Sequence, residues 1–105
     1  MIRRTLPQRR AAETLDLCFG NQYFTITVGR FHDGSPAEVF VDVAKSGQDL
    51  ANVARDAAIL LSLALQYGTP VESVRCAVTR GARGEAASII GAVVDCLAAS
   101  ERGAP

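Results

Sequence analysis

The chain has 105 residues, 49% of them hydrophobic and 21% charged, which fits one soluble globular domain large enough to bury a real core. Eleven basic and eleven acidic side chains cancel, so no global field draws the chain toward nucleic acid or an anionic membrane. No apolar run approaches the roughly 20 residues of a membrane span, the basic N-terminus lacks a signal peptide's apolar stretch, and three dispersed cysteines point to the reducing cytoplasm.

Residues 1–13 read as a basic N-terminal arm, residues 14–100 as a single domain and residues 101–105 as a frayed tail. The first strand is Thr14 to Phe19, and Gly20-Asn21 is a two-residue hairpin turn because both tolerate positive φ. A second strand runs from Gln22 to Phe31, Asp33-Gly34 turns the chain again, and a third strand spans Ala37 to Val43. Closing both turns sets Leu17 opposite Phe24, Leu15 opposite Ile26, and Phe24, Ile26 and Val28 opposite Val43, Val41 and Val39. All these pairs are apolar and share one face, an agreement that a one-residue slip would destroy. The other face is mixed, with Asp16, Cys18, Tyr23, Thr25, Thr27, Glu38, Phe40 and Asp42.

Ser46 is placed to cap a long helix, with Asp49 completing a capping box, and Gly68 stops it after Tyr67. Its expected core stripe is Leu50, Val53, Ala54, Ala57, Leu60, Leu61, Ala64 and Leu65. Ile59 and Leu63 fall off that stripe, so the second half of the helix is apolar nearly all round. Thr69-Pro70-Val71-Glu72 opens a short helix ending near Val78. The loop Arg80 to Gly84 leads to a last helix over Glu85 to Ala99. The expected fold class is therefore α+β: a three-stranded antiparallel β-meander followed by three helices packed on one face.

Several segments resemble the TSCPD domain, which accompanies the C-terminal region of adenosylcobalamin-dependent (class II) ribonucleotide reductases and also occurs as small separate proteins. The matching residues are Leu6-Pro7-x-Arg9-Arg10, Thr27-Val28-Gly29, Asp33-Gly34-x-Pro36-x-Glu38-Val39-Phe40, Lys45-Ser46-Gly47 and Ser62-Leu63-Ala64-Leu65-Gln66-Tyr67-Gly68-x-Pro70. The resemblance implies a non-catalytic regulatory or docking module linked to deoxyribonucleotide synthesis. It also implies that adenosylcobalamin and reductase activity belong to the larger relatives, with no cofactor in this chain.

The residues themselves support no catalytic assignment. There is no Cys-x-x-Cys, and Cys18, Cys76 and Cys96 read as small buried thiols. One histidine, His32, lies in a turn, and clustered metal ligands are missing. Lys45-Ser46-Gly47 lacks the rest of a phosphate-binding loop and reads as ordinary helix capping. The arginines form the best candidate anion or nucleic-acid site: Arg3, Arg4, Arg9 and Arg10 on the arm, and Arg80 and Arg83 in the loop. With Tyr23 and Phe40 as stacking platforms, they support the alternative reading, a small nucleic-acid- or nucleotide-binding protein. Tyr23, Phe40, Ile59 and Leu63 are the candidate interaction surface. The expected partners are a second copy of the chain and a ribonucleotide reductase or other protein, without membrane association.

Overall fold

In the computed structural model, which describes residues 2–44 and 47–101, the first turn has the predicted form. Gly20 and Asn21 hold φ of +57° and +62°, the mirror-image turn whose twist matches a hairpin. It joins β1 (Ala12–Phe19) to β2 (Gln22–Arg30). The second turn places Gly34 at φ +88°. Asp33 Oδ1 accepts the Ser35 N–H at 2.9 Å there, and β3 (Pro36–Val43) follows. The sheet order is β1-β2-β3 and fully antiparallel, with every cross-strand pair expected from the two turns in place. A register shift at Gly29/Arg30 absorbs the offset at the far end of the β2–β3 ladder.

The helices are α1 (Gln48–Gln66), α2 (Val71–Ala77) and α3 (Ile89–Glu101). Their C-terminal signals work as expected and their N-terminal ones shift. Gly68, at φ +99°, ends α1 in a Schellman arrangement: its N–H bonds Leu65 O at 3.1 Å and the Thr69 N–H bonds Ala64 O at 2.9 Å. Gly47, not Ser46, occupies the N-cap of α1; Lys45 and Ser46 lie outside the described residues. At α2 the cap is Pro70, one residue after Thr69. The last helix begins at Ile89, not Glu85, because Ser88 caps it: its Oγ accepts the Gly91 N–H at 3.2 Å. Residues 79–87 instead form a small hairpin. Ala87 N–H donates to Thr79 O at 3.2 Å and Gly81 N–H to Glu85 O at 2.8 Å.

The inner sheet face meets the helices in one core. Phe24, Ile26, Val28, Val39 and Val41 are buried against Ala54, Ala58, Leu61 and Leu65 of α1 and Val93, Val94 and Leu97 of α3, with Leu15, Leu17 and Val43 at the margin. The rotation of α1 differs from the expected stripe. Ala54, Leu61 and Leu65 are buried as expected, joined by Ala58 and Gln66, while Leu50, Val53 and Leu60 are exposed. The cause is the open edge of β3. By the alternation of the ladder, Ala37 and Val39 direct their backbone groups away from β2, and α1 turns a polar row toward them. Val39 N–H donates to Ser62 Oγ at 2.8 Å. The Ser62 hydroxyl faces Ala58 O and Val39 O at 2.8 and 3.2 Å. Gln66 Nε2 donates to Ala37 O at 3.0 Å. The helix thus takes the place of a fourth strand along part of this edge.

Two substitutions test this arrangement. Ile26→Ala should cost about 2–5 kcal/mol as a large-to-small core change. Ser62→Ala should cost about 1–3 kcal/mol by stranding the Val39 N–H against an apolar neighbour. Urea denaturation measures both, and a loss below about 1 kcal/mol for Ile26→Ala would contradict the core assignment.

Candidate functional site

Because α1 overhangs β3, the outer sheet face and the flank of the helix meet in an open cleft. Phe40 stands on the outer face of β3 opposite Thr27. Across from it α1 supplies Arg55, Ile59 and Leu63, and Ser62 and Gln66 also contribute to the lining. The cavity volume is about 540 Å³. Phe40 and Ile59 are each 52% exposed, an aromatic and an aliphatic group left in water beside an otherwise sealed edge. Three of the four predicted surface residues, Phe40, Ile59 and Leu63, therefore converge. Tyr23 does not join them: it lies toward the other end of the outer face, opposite Cys18. Arg3 also lines the cleft, a role that its place in the sequence did not signal.

The candidate arginines are not one cluster, and most are engaged within the chain. Arg3 Nε donates to Gln66 Oε1 at 2.7 Å. Arg4 N–H donates to Gln66 O at 2.7 Å, while its guanidinium stacks 3.7 Å above the Phe31 ring and reaches Asp33 at 3.4 Å. Arg10 pairs with Glu38 at 2.6 Å and donates to Pro7 O at 2.7 Å. The arm is thus laid against the end of α1, the second hairpin and β3. Arg80 serves another place, forking onto Asp95 of α3 at 2.7 and 2.8 Å while bonding Arg75 O at 2.7 Å. Its planar donor fork suits this bidentate clamp between α2 and α3. Arg9 and Arg83 have exposed positions; at the tip of the small hairpin the Arg83 backbone N–H bonds Glu85 Oε1 at 2.8 Å.

Glu38 explains one of the motif glycines. A Cβ on Gly29 would lie 2.8 Å from Glu38 Cγ, so the acid can fold across the sheet to Arg10 only because residue 29 has no side chain. The cysteines depart from expectation: Cys18 and Cys76 are exposed and Cys96 is partly exposed. Cys18 follows the alternation of β1 onto the solvated face, and Cys76 lies on the outer side of a two-turn helix. Burial, with Asp95 adding to it, pushes the Cys96 thiol up in pKa. His32 is exposed in its turn. Among the described residues no group of three or more His, Cys, Asp or Glu is placed to hold a metal, and no helix is long and apolar enough to cross a membrane.

Asp33 is held below the usual aspartate range, first by the Ser35 hydroxyl and then by the Ser35 N–H; desolvation opposes them, and Arg4 adds a lesser lowering. A carboxylate with a depressed folded pKa stabilises the fold above its unfolded pKa and loses that contribution as pH falls through the folded value. Ser35→Ala should therefore raise the Asp33 pKa toward normal, read from its side-chain carboxyl shift in an NMR titration, and loosen the Arg4 contact at a higher pH than in the wild type.

The family model of the TSCPD domain matches residues 2–100. The chain is 37% identical over 70 residues to a vitamin B12-dependent ribonucleotide reductase of Agrobacterium fabrum, covering 67% of this chain and 6% of that protein. It is 34% identical over 70 residues to the enzyme of the same name from Bradyrhizobium diazoefficiens, again 67% and 6%. To the one from Streptantibioticus cattleyicolor it is 32% identical over 72 residues, 69% and 12%. No solved structure matches. The chain spans only 6 to 12% of the length of these curated relatives, while the family model takes in both the arm and the sheet–helix body, and on that match the chain belongs to the TSCPD domain family.

Proposed function

We propose that this chain is a non-catalytic docking or regulatory module linked to deoxyribonucleotide synthesis, and that a vitamin B12-dependent ribonucleotide reductase seats against the cleft between β3 and α1. The observation that carries the reading is the cleft itself. Phe40, Ile59 and Leu63 form an apolar floor edged by Arg3, Arg55 and Asp42, the pattern of an aromatic anchor within a polar rim that typifies protein contact surfaces. The relatives supply the class of partner, since their matching portion is a small fraction of a much larger reductase. Vitamin B12 chemistry stays with those larger proteins in this reading. The cleft lining has no histidine or cysteine, so it offers none of the imidazole or thiolate donors that transition metals favour.

The test is direct binding between the purified chain and a vitamin B12-dependent ribonucleotide reductase, by co-elution and calorimetry. Phe40→Glu and Leu63→Glu should each weaken the complex at least tenfold, about 1.4 kcal/mol, while Tyr23→Ala leaves it unchanged. Pure chain supplied with adenosylcobalamin, a dithiol and ribonucleotide should form no deoxyribonucleotide. Turnover by the pure chain would overturn the proposal. So would salt-sensitive oligonucleotide binding lost on Arg9→Ala and Arg83→Ala with no affinity for the reductase.

A further inference from the structure

The rotation of α1 that seals the β3 edge also brings a second apolar face into solvent. Leu50, Val53, Ala57, Leu60, Ala64 and Tyr67 follow one another at intervals of 3, 4, 3, 4 and 3 residues. That alternation defines a continuous seam along one side of a helix, and it is the spacing by which one helix packs against another. Nothing among the described residues covers the seam. Val53 is 66% exposed, Leu60 68%, Tyr67 42% and Leu50 37%. Ala57 and Ala64 lie between them, half-buried. The seam is distinct from the cleft: at about 100° per residue, Asp56 separates it from Ile59 and Leu63 on the helix surface.

We propose that this seam is a self-association surface, in which α1 packs antiparallel against α1 of a second copy about a twofold axis. The choice of occupant rests on the order of side-chain sizes. Laid against its own reverse, the seam sets Val53 against the partner's Ala64, Ala57 against the partner's Leu60, and Leu50 against the partner's Tyr67. Each small residue meets a branched one, so the two surfaces interdigitate and the backbones approach closely. A parallel, in-register pair would instead set alanine on alanine and leucine on leucine, leaving gaps in some layers and crowding in others. The seam carries no charge of its own, and a twofold axis needs only one self-complementary patch. This inference is independent of the reductase-docking reading, because the two surfaces share no residue.

Sedimentation of the full chain at micromolar concentration should show a dimer. Leu60→Glu should weaken it at least tenfold with unchanged far-ultraviolet circular dichroism, since Leu60 contributes little to the fold of one chain. Phe40→Glu should leave the dimer intact, and Leu60→Glu should leave reductase binding intact, so the two proposals fail separately. The antiparallel arrangement has its own test. With Cys18 and Cys76 replaced by serine, Ala57→Cys protein mixed with Leu60→Cys protein should oxidise to a mixed disulfide dimer in preference to either self-linked species. A wild-type monomer overturns the proposal. A dimer that survives Leu60→Glu but is lost on Thr14→Pro also overturns it, because association would then run through the open edge of β1. Preferential self-linking of Leu60→Cys would overturn the antiparallel arrangement.

Discussion

The pairing of Ser62 and Gln66 with the edge of β3 is the constraint on which the remaining structure depends. A buried backbone N–H or C=O without a partner costs about 1–3 kcal/mol, and an open strand edge also invites pairing with other chains. Here α1 meets both demands from its own side chains. Gln66 is only 3% exposed and is used on three sides: its amide nitrogen bonds Ala37 O, its amide oxygen accepts from Arg3, and its backbone carbonyl accepts from Arg4. One glutamine thus joins β3, the end of α1 and the N-terminal arm. Moving the helix toward the middle of the sheet would release the edge, the arm and one wall of the cleft together.

Several of the residues by which the chain resembles its family fall at this junction. Arg10, Gly29 and Glu38 form one latch across the outer sheet face, while Val39, Ser62 and Gln66 form another at the edge. Gly68 ends α1 in the only backbone region that permits its sharp stop at low cost. These positions hold the sheet edge, the helix end and the arm together in this chain. Around them Phe40 and Ile59 face solvent on one side and Leu60 and Val53 on the other.

Helix α1 therefore has three working sides. Ala54, Leu61 and Leu65 enter the core; Ile59 and Leu63 wall the cleft; Val53 and Leu60 stand in the exposed seam. A helix that is apolar nearly all round is ordinarily enclosed by protein on several sides. Among the described residues the sheet and α3 cover one of them, which is the physical basis for proposing contact surfaces on the other two. The opposite sheet edge is treated differently. Among the described residues no helix lies along the outer side of β1, and a gap of about 70 Å³ lined in part by Leu15, Leu17 and Cys96 remains beneath it.

The meander could be read from sequence because its determinants are local. Gly20-Asn21 and Asp33-Gly34 set the turns, and the two-residue period of a strand then dictates every partner and which face each side chain takes. The end of α1 was equally local, fixed by Gly68. The rotation of α1 was not, because apolar residues lie on three of its sides, and no periodicity can rank Leu60 against Ala58. That ranking came from the backbone groups of Ala37 and Val39, which draw Ser62 and Gln66 inward and turn Leu50, Val53 and Leu60 out. The internal partners of the arginines were out of reach of the sequence for the same reason. Arg3 finds Gln66, Arg10 finds Glu38 and Arg80 finds Asp95 at separations of 63, 28 and 15 residues. Sequence alone decided the local geometry of turns, strands and stops; the choice among competing faces and distant partners belonged to the tertiary structure, because only folding brings an unsatisfied strand edge and its helix within hydrogen-bond reach.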